Sequence, residues 1–212
     1  MEVSTLLSLM GNLSLGNDNI TQVERAIFLQ YLNLANLELY QITANFNQDL
    51  LVQVTLANQV DSNQVQLPET PYLVNSVYDL THQRKLCRIS LTDAITKDPA
   101  STAKGNPIQY FMQKDLLQFV PTQTAITSIN VCYVPQPTTL TEQTPEQDIP
   151  YPLAYHPVLI DGALYYLFQE EGGFKNLQKA QAAQARWEVG QTRLLAYLYN
   201  SSGQLFSTFS SV

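Results

Sequence analysis

The sequence predicts an α+β protein in which helices from both ends of the chain flank a β-rich middle. Apolar residues recur at spacings of three and four near both termini, whereas the middle carries short runs of β-branched and aromatic residues between turn formers. Hydrophobic residues make up 45% of the 212 residues, which is enough to build a core. We therefore expect a helical bundle from the N- and C-terminal helices, with a small antiparallel β domain inserted between them.

The first predicted segment, residues 1–45, contains two helices. A short apolar helix over residues 5–14 is followed by Asn17 and Asp18, which are good N-cap side chains, and by Glu24, an acid suited to the first turns of a second helix. Apolar residues at helical spacing predict the buried face of this second helix, namely Ile20, Val23, Ile27, Tyr31 and Leu34.

Leucines also occupy the other faces of the second helix. Leu29, Leu32 and Leu37 fall outside the predicted stripe, so much of the helix circumference is apolar. A helix of this kind is buried on more than one side. We therefore predict that these three leucines pack in the core or against a neighbouring subunit.

The middle of the chain, residues 46–149, changes to the pattern of β-strands. Its apolar runs are bounded by Pro, Gly and Asp, which favours a small antiparallel sheet or barrel. A short helical turn is expected at residues 92–97 and a loop at residues 98–107. The predicted strands cover residues 50–56, 72–78, 85–91, 108–112, 116–120 and 125–134.

Two further helices are predicted in residues 150–199, after a linker rich in proline and acid. Pro157 suits the first turn of the first of them. The second helix, over residues 174–199, places Trp187 and Leu194 on or near one face, so we predict that both pack in the core or in a subunit contact. Several alanines in this helix permit close approach of a neighbouring helix.

Residues 200–212 do not follow a helical pattern. They form a polar tail that carries Leu205, Phe206 and Phe209. Large apolar side chains on such a tail are suitable anchors for a partner protein. We predict an extended docking tail that binds through these three side chains; a tail folded back on its own domain is the alternative.

The charge of the chain argues against tight nucleic-acid binding. The formal net charge is −7 and the sequence pI is about 4.7. Only 14% of the residues are charged, and the chain uses 22 Gln and 14 Asn instead. Eleven basic residues do not make a phosphate-binding stripe, although an acidic surface can line a DNA passage without sticking to it. The amides suit either a protein interface or a compositional habit of the source.

No catalytic or metal-binding motif is visible. His82 and His156 are the only histidines, and neither lies in a nucleophile motif. Cys87 and Cys132 are the only cysteines; they predict buried free thiols, and without a Cys/His cluster no zinc site is expected. The sequence shows no cofactor motif, no export signal and no run of ~18 apolar residues. We therefore expect no enzymatic activity, no cofactor or metal, and no membrane association. We expect the protein to be synthesised in the cytoplasm.

The order of these elements resembles the head-to-tail adaptor (connector) proteins of tailed bacteriophages. Three stretches carry the resemblance: Leu67-Pro68 before a predicted strand, Tyr133-Val-Pro-Gln-Pro137 at the end of another, and residues 151–166, with Leu159-Ile-Asp-Gly-Ala-Leu164, at the start of a C-terminal helix. The resemblance covers most of the chain as architecture. The chain departs from the family pattern in its low charge and high amide content.

This resemblance implies a structural subunit of the virion, located in the neck between head and tail. A ring of about twelve copies would attach beneath the portal protein, carry the next tail protein, and let double-stranded DNA pass through its lumen without specific binding. The tail at residues 200–212 would dock on the portal. Two alternatives stay open: another virion tail component, of the tail-completion or tail-tube type, and a small hydrolase or carbohydrate-binding module.

Overall fold

The computed structural model describes residues 2–16, 20–46, 51–60, 64–98, 103–122, 127–170 and 173–201. These residues form five α-helices, two short 3₁₀ turns and seven strands, which confirms the α+β class. The helices are α1 Val3–Leu15, α2 Gln22–Phe46, α3 Leu91–Lys97, α4 His156–Gln169 and α5 Leu177–Ser201. The strands are β1 Gln53–Val60, β2 Gln64–Gln66, β3 Pro71–Asp79, β4 Arg84–Arg88, β5 Gln109–Gln113, β6 Leu116–Val120 and β7 Thr127–Pro135.

The chain divides into two compact units. The helical unit comprises Met1–Leu51 and Pro137–Val212 and contains α1, α2, α4 and α5. The β unit comprises Val52–Gln136 and contains the seven strands and α3. The two helix pairs of the helical unit are therefore separated in sequence by the whole β unit.

Local hydrogen bonds explain where the first two helices end and begin. Gly16 closes α1 in the left-handed region, at a φ of 69°, and its N–H donates to a carbonyl one turn earlier. Thr21 and Glu24 form a capping box: the Glu24 N–H donates to Thr21 Oγ1, and the Thr21 N–H donates to Glu24 Oε2 at 2.7 Å. Thr21 is thus the cap of α2, and the predicted cap residues Asn17 and Asp18 lie outside the described residues.

The buried face of α2 differs from the predicted one. Val23 and Leu34 of the predicted stripe are 71% and 42% exposed. The helix carries two overlapping apolar stripes, and only one of them is buried as a whole. That stripe consists of Phe28, Tyr31, Leu32, Ala35 and Leu39.

α4 is the central helix of the helical unit and contacts α1, α2 and α5. Pro157 lies in its first turn, which confirms that prediction. The imidazole of His156 is buried at the same end of the helix and hydrogen-bonds through Nε2 to the Tyr151 carbonyl at 2.9 Å. α5 begins three residues later than predicted, because the side-chain oxygen of Asn176 accepts the Lys179 N–H and caps it.

Two glycines let α4 and α5 approach each other closely. A Cβ atom placed on Gly162 of α4 would lie 2.7 Å from the ring of Trp187. One placed on Gly190 of α5 would lie 2.7 Å from a methyl group of Val158. Real carbon–carbon contacts are longer than this, so hydrogen is the only side chain that fits at either crossing.

The strands form one curled sheet in the order β1-β7-β3-β4-β5-β6-β2. The prediction of a wholly antiparallel sheet is wrong at one place, because β4 and β5 pair in parallel. The chain between them contains α3 and residues 98–108, and a crossover of about this length is what a parallel connection requires. Strand β2, which has only three residues, was not among the predicted strands.

The sheet buries its own apolar cluster, in which Tyr133, Phe119 and Leu86 are among the least exposed side chains. Cys87 follows Leu86 on β4 and points to the other face, where it is exposed. Cys132 is partly buried. The expectation of two buried thiols is therefore wrong for Cys87, while both cysteines are free.

Candidate functional site

The residues predicted to pack in the core or between subunits lie at different depths. Leu32 and Leu194 are fully buried in the core of the helical unit, and Trp187 is 3% exposed there. Leu29 is partly buried against the same core, whereas Leu37 is 40% exposed. The predicted docking residues of the tail lie outside the described residues; they are Leu205, Phe206 and Phe209.

The exposed side of α2 carries no charged residue over most of its length. Residues on this side are spaced by three and four, so they form a straight row along the helix. Three of them are large apolar side chains that remain exposed in the single chain. We call this row the α2 outer stripe; it consists of Val23, Ala26, Gln30, Leu34, Leu37 and Gln41.

A groove of about 330 Å³ runs beside this stripe, between α2 and residues 137–139. Asn33 holds the extended segment against the helix: its Oδ1 accepts the Leu140 N–H at 2.7 Å, and its Nδ2 donates to the Leu140 carbonyl at 3.0 Å. We call this the α2 groove. Its walls are formed partly by the exposed side chains of Leu34 and Leu37.

Asn36 contributes to the wall of the α2 groove and is only 3% exposed. Its Nδ2 donates to the Thr138 carbonyl at 3.4 Å, and its own carbonyl accepts the hydroxyl of Tyr151 at 3.4 Å. Burial raises the pKa of Tyr151 well above its usual value, so this hydroxyl remains a donor. Among the described residues, none donates a hydrogen bond to Asn36 Oδ1.

The outward side of α5 differs from that of α2, because one exposed row of it combines alanines with two arginines. We call this row the α5 outer stripe; it consists of Ala182, Ala185, Arg186, Val189, Arg193 and Ala196, all exposed. It forms one wall of a groove of about 510 Å³, whose other wall is the start of α4. We call this the α4–α5 groove.

Two arginines stand at the α4–α5 groove. Arg186 Nε lies 2.6 Å from Asp161 Oδ1, in an ion pair whose arginine side chain is 54% exposed. The guanidinium of Arg193 makes no hydrogen bond or ion pair within the described part of the chain, although its backbone carbonyl accepts the hydroxyl of Tyr155. The groove therefore presents five guanidinium donors that are free for another molecule.

The two units carry very different charges. The helical unit has five basic and twelve acidic residues, so the entire formal charge of −7 belongs to it. The β unit has six of each, and its formal charge is zero. Two helical units consequently repel each other, except where their facing surfaces lack carboxylates or carry arginine.

The two histidines, His82 and His156, make contacts that stabilise the fold. The buried carboxylate of Asp79 accepts the backbone N–H of His82 at 3.1 Å and lies 2.7 Å from His82 Nδ1 and 3.5 Å from Arg84 Nε, so it ties the β3–β4 turn together. His156 is buried at the start of α4, as described above. Within the described ranges, no group of three or more His, Cys, Asp and Glu side chains is placed to hold a metal ion. None of the described helices is long and apolar enough to cross a membrane.

The sequence matches the family model of the SU10 adaptor protein over residues 1–208. The chain belongs to the SU10 adaptor protein family. No curated protein matches it. Membership confirms the resemblance to phage head-to-tail adaptors and makes the chain a structural component of a phage virion. The family is one of structural adaptors rather than a known enzyme family, and it implies contacts of this adaptor with portal and tail proteins.

The outer stripes and grooves are not among the predicted sites, although the sequence contains a signal for them. The adaptor places Arg186 and Arg193 seven residues apart with Val189 between them, which puts all three on one side of a helix. The uncharged row on α2 has the same spacing. What the sequence does not show is which rows remain exposed, since that depends on how α4 packs.

Proposed function

We propose that this adaptor assembles into a closed ring of about twelve copies beneath the portal, in the neck of the virion. The observation that carries the proposal is the family match over residues 1–208, which covers nearly the whole chain. In this role the ring gives the next tail protein a platform and provides a channel for DNA during genome ejection. The protein is made in the host cytoplasm and joins the particle there.

The surfaces of the helical unit support the ring. A closed ring of identical subunits needs a head-to-tail contact, in which two different patches of the same chain meet. The α2 outer stripe and the α5 outer stripe are two such patches, because they lie on different helices and share no residue. In our proposal the helices of this unit form the bundle from which the ring is built, and the β unit faces outward or toward the tail.

The acidic charge of the helical unit supports passage of DNA without binding. Phosphates are repelled by a surface of formal charge −7 per subunit, so DNA slides past without pausing at basic sites. Specific recognition would need clustered arginines and lysines facing the lumen.

α5 extends through Ser201, two residues into the predicted tail, so the remaining residues 202–212 supply the portal contact in this proposal. Leu205, Phe206 and Phe209 are the anchors, because they are the large apolar side chains of an otherwise small and polar segment.

The test is the solution mass of the purified chain, measured by light scattering with and without a portal ring encoded by the same genome. We expect a complex of fixed stoichiometry with the portal. A chain that stays monomeric and ignores the portal contradicts the proposal and favours another tail component, and binding to a tail protein alone would identify that role.

A truncated chain without residues 202–212 separates docking from folding. We expect it to keep the helical circular-dichroism signal and to lose portal binding. The matched control replaces Ser207, Ser210 and Ser211 with Ala, which leaves the apolar anchors in place and should leave binding unchanged. Normal portal assembly of the truncated chain would rule out the tail as the docking element.

A further inference from the structure

We propose that the α2 outer stripe of one copy docks against the α5 outer stripe and into the α4–α5 groove of a second copy. This inference rests on the proposed ring and names the two surfaces that join its subunits. The occupant of the groove is thus another copy of this chain.

Charge selects these two surfaces. Each helical unit carries a formal charge of −7, so contact between two of them is opposed by long-range repulsion. The α2 outer stripe contains no carboxylate, and the α5 outer stripe contains Arg186 and Arg193 with no acid among its members. Bringing these surfaces together places Arg193 and the Arg186–Asp161 ion pair of one unit against an uncharged row of the next.

Shape complements the charge. Leu34 and Leu37 are 42% and 40% exposed and project from α2 as a ridge. The facing row on α5 contains three alanines, and it lies beside the groove of about 510 Å³, to which Val189, 50% exposed, contributes. Helices pack by placing the ridge of one into the groove of the other, and small residues in the groove shorten the distance between the axes.

Hydrogen bonding fits the same arrangement. Arg193 brings an exposed guanidinium without a partner in the described chain. The wall of the α2 groove offers the exposed side chains of Gln30, Thr138 and Thr139. Their amide and hydroxyl oxygens can accept hydrogen bonds from this guanidinium.

Cross-linking tests the pairing directly. Single cysteines are introduced as Leu34→Cys and Val189→Cys in a chain whose Cys87 and Cys132 are replaced by Ser, and rings are assembled on the portal from a mixture of the two variants. A short bifunctional thiol reagent should join the two variants to each other. Rings of either variant alone should give no cross-linked dimer, because a head-to-tail contact never brings identical positions together.

A charge insertion measures the strength of the contact. The double variant Leu34→Glu/Leu37→Glu should weaken ring assembly about tenfold or more, because it buries two carboxylates in an apolar contact. Its thermal unfolding midpoint should stay near that of the native chain, since both side chains are exposed. The matched control is Leu9→Glu/Leu13→Glu on α1, where both leucines are also exposed, at 47% and 58%.

The outcomes separate this inference from the proposed function. A ring that forms normally without cross-links in the mixture, or cross-links within either variant alone, overturns the pairing and leaves the ring intact. Equal weakening by the α1 control also overturns it, because the effect would then be general repulsion. Failure of the native chain to form any ring with the portal refutes the proposed function and this inference together.

Discussion

Replacing Gly162 with Ala tests the idea that close contact between α4 and α5 determines the stability of the helical unit. The new methyl carbon would lie 2.7 Å from two carbons of the Trp187 ring and 3.0 Å from the Cβ of Ala35. It is therefore enclosed by α5 on one side and by α2 on the other. Either the indole ring or a helix must move for the variant to fold.

Two opposing effects set the size of the change. Overpacking of a dense core costs about 1–3 kcal/mol, and enclosure from two sides places this site in the upper part of that range. Replacing a helical glycine with alanine gains about 0.8–1.0 kcal/mol of helix propensity. We expect the variant to be less stable than the native chain by about 1–2 kcal/mol in its free energy of unfolding.

A double-mutant cycle with Trp187→Ala assigns the effect to the ring. Trp187→Ala alone should cost about 3–5 kcal/mol, because it leaves a cavity in a core where the side chain is 3% exposed. With the ring removed, Gly162→Ala should be neutral or stabilising by up to about 1 kcal/mol. The coupling between the two changes is then about 1–3 kcal/mol.

Urea titration provides the measurement. Trp187 is the only tryptophan, so its fluorescence reports on the helical unit alone, and circular dichroism at 222 nm follows the variants that lack it. The m-value should stay constant across the cycle. A higher midpoint for Gly162→Ala in the presence of Trp187 would refute the reasoning, because it would mean that the two helices accommodate a methyl group without strain.

Two further changes test local hydrogen bonds. Asn33→Ala should lower the free energy of unfolding by about 2–3 kcal/mol, since it leaves the buried N–H of Leu140 without an acceptor. The control is Asn45→Ala at the exposed end of α2, which should change the free energy of unfolding by less than about 0.5 kcal/mol in the same urea titration. Glu24→Gln tests the capping box. Hydrogen bonds from the backbone and hydroxyl of Thr21 lower the pKa of Glu24 below its ordinary 4.5. The stabilisation of the folded state by the Glu24 carboxylate is therefore present above that pH and is lost as the pH falls through the lowered pKa. The native chain should thus melt at a higher temperature than the variant at pH 7 but not at strongly acidic pH, and a difference that persists in acid would contradict this.

The elements that local pattern predicts well are those with several turns or several alternating residues. α4 carries a proline in its first turn, where proline is favoured, and β3, β6 and β7 lie within a few residues of their predicted bounds. The three residues of β2 carry no pattern of their own, since Val65 is the only apolar residue between two glutamines. Pairing with β6 makes them a strand, and that pairing is not local.

The candidate site could be predicted only in part, because the exposure of its residues depends on contacts that are not local in the sequence. Trp187 and Leu194 follow a single stripe on α5, so their helical spacing predicts both as packing residues, and both are buried. α2 offers two stripes that overlap at Tyr31, and its 3.6-residue period is satisfied by both. Only contact with α4 leaves Leu34 and Leu37 outside, where they are available to a partner.

Composition and element order alone were sufficient for the α+β class, the acidic charge and the resemblance to phage adaptors, because these properties depend on residue types and on patterns a few residues long. The parallel pairing of β4 with β5, the exposure of Cys87, the contact of Gly162 with Trp187 and the two outer stripes depend on which surfaces meet across the fold. Several surfaces are equally apolar in the sequence, and packing determines which of them are buried, since a dense core accommodates only the combination whose shapes interlock.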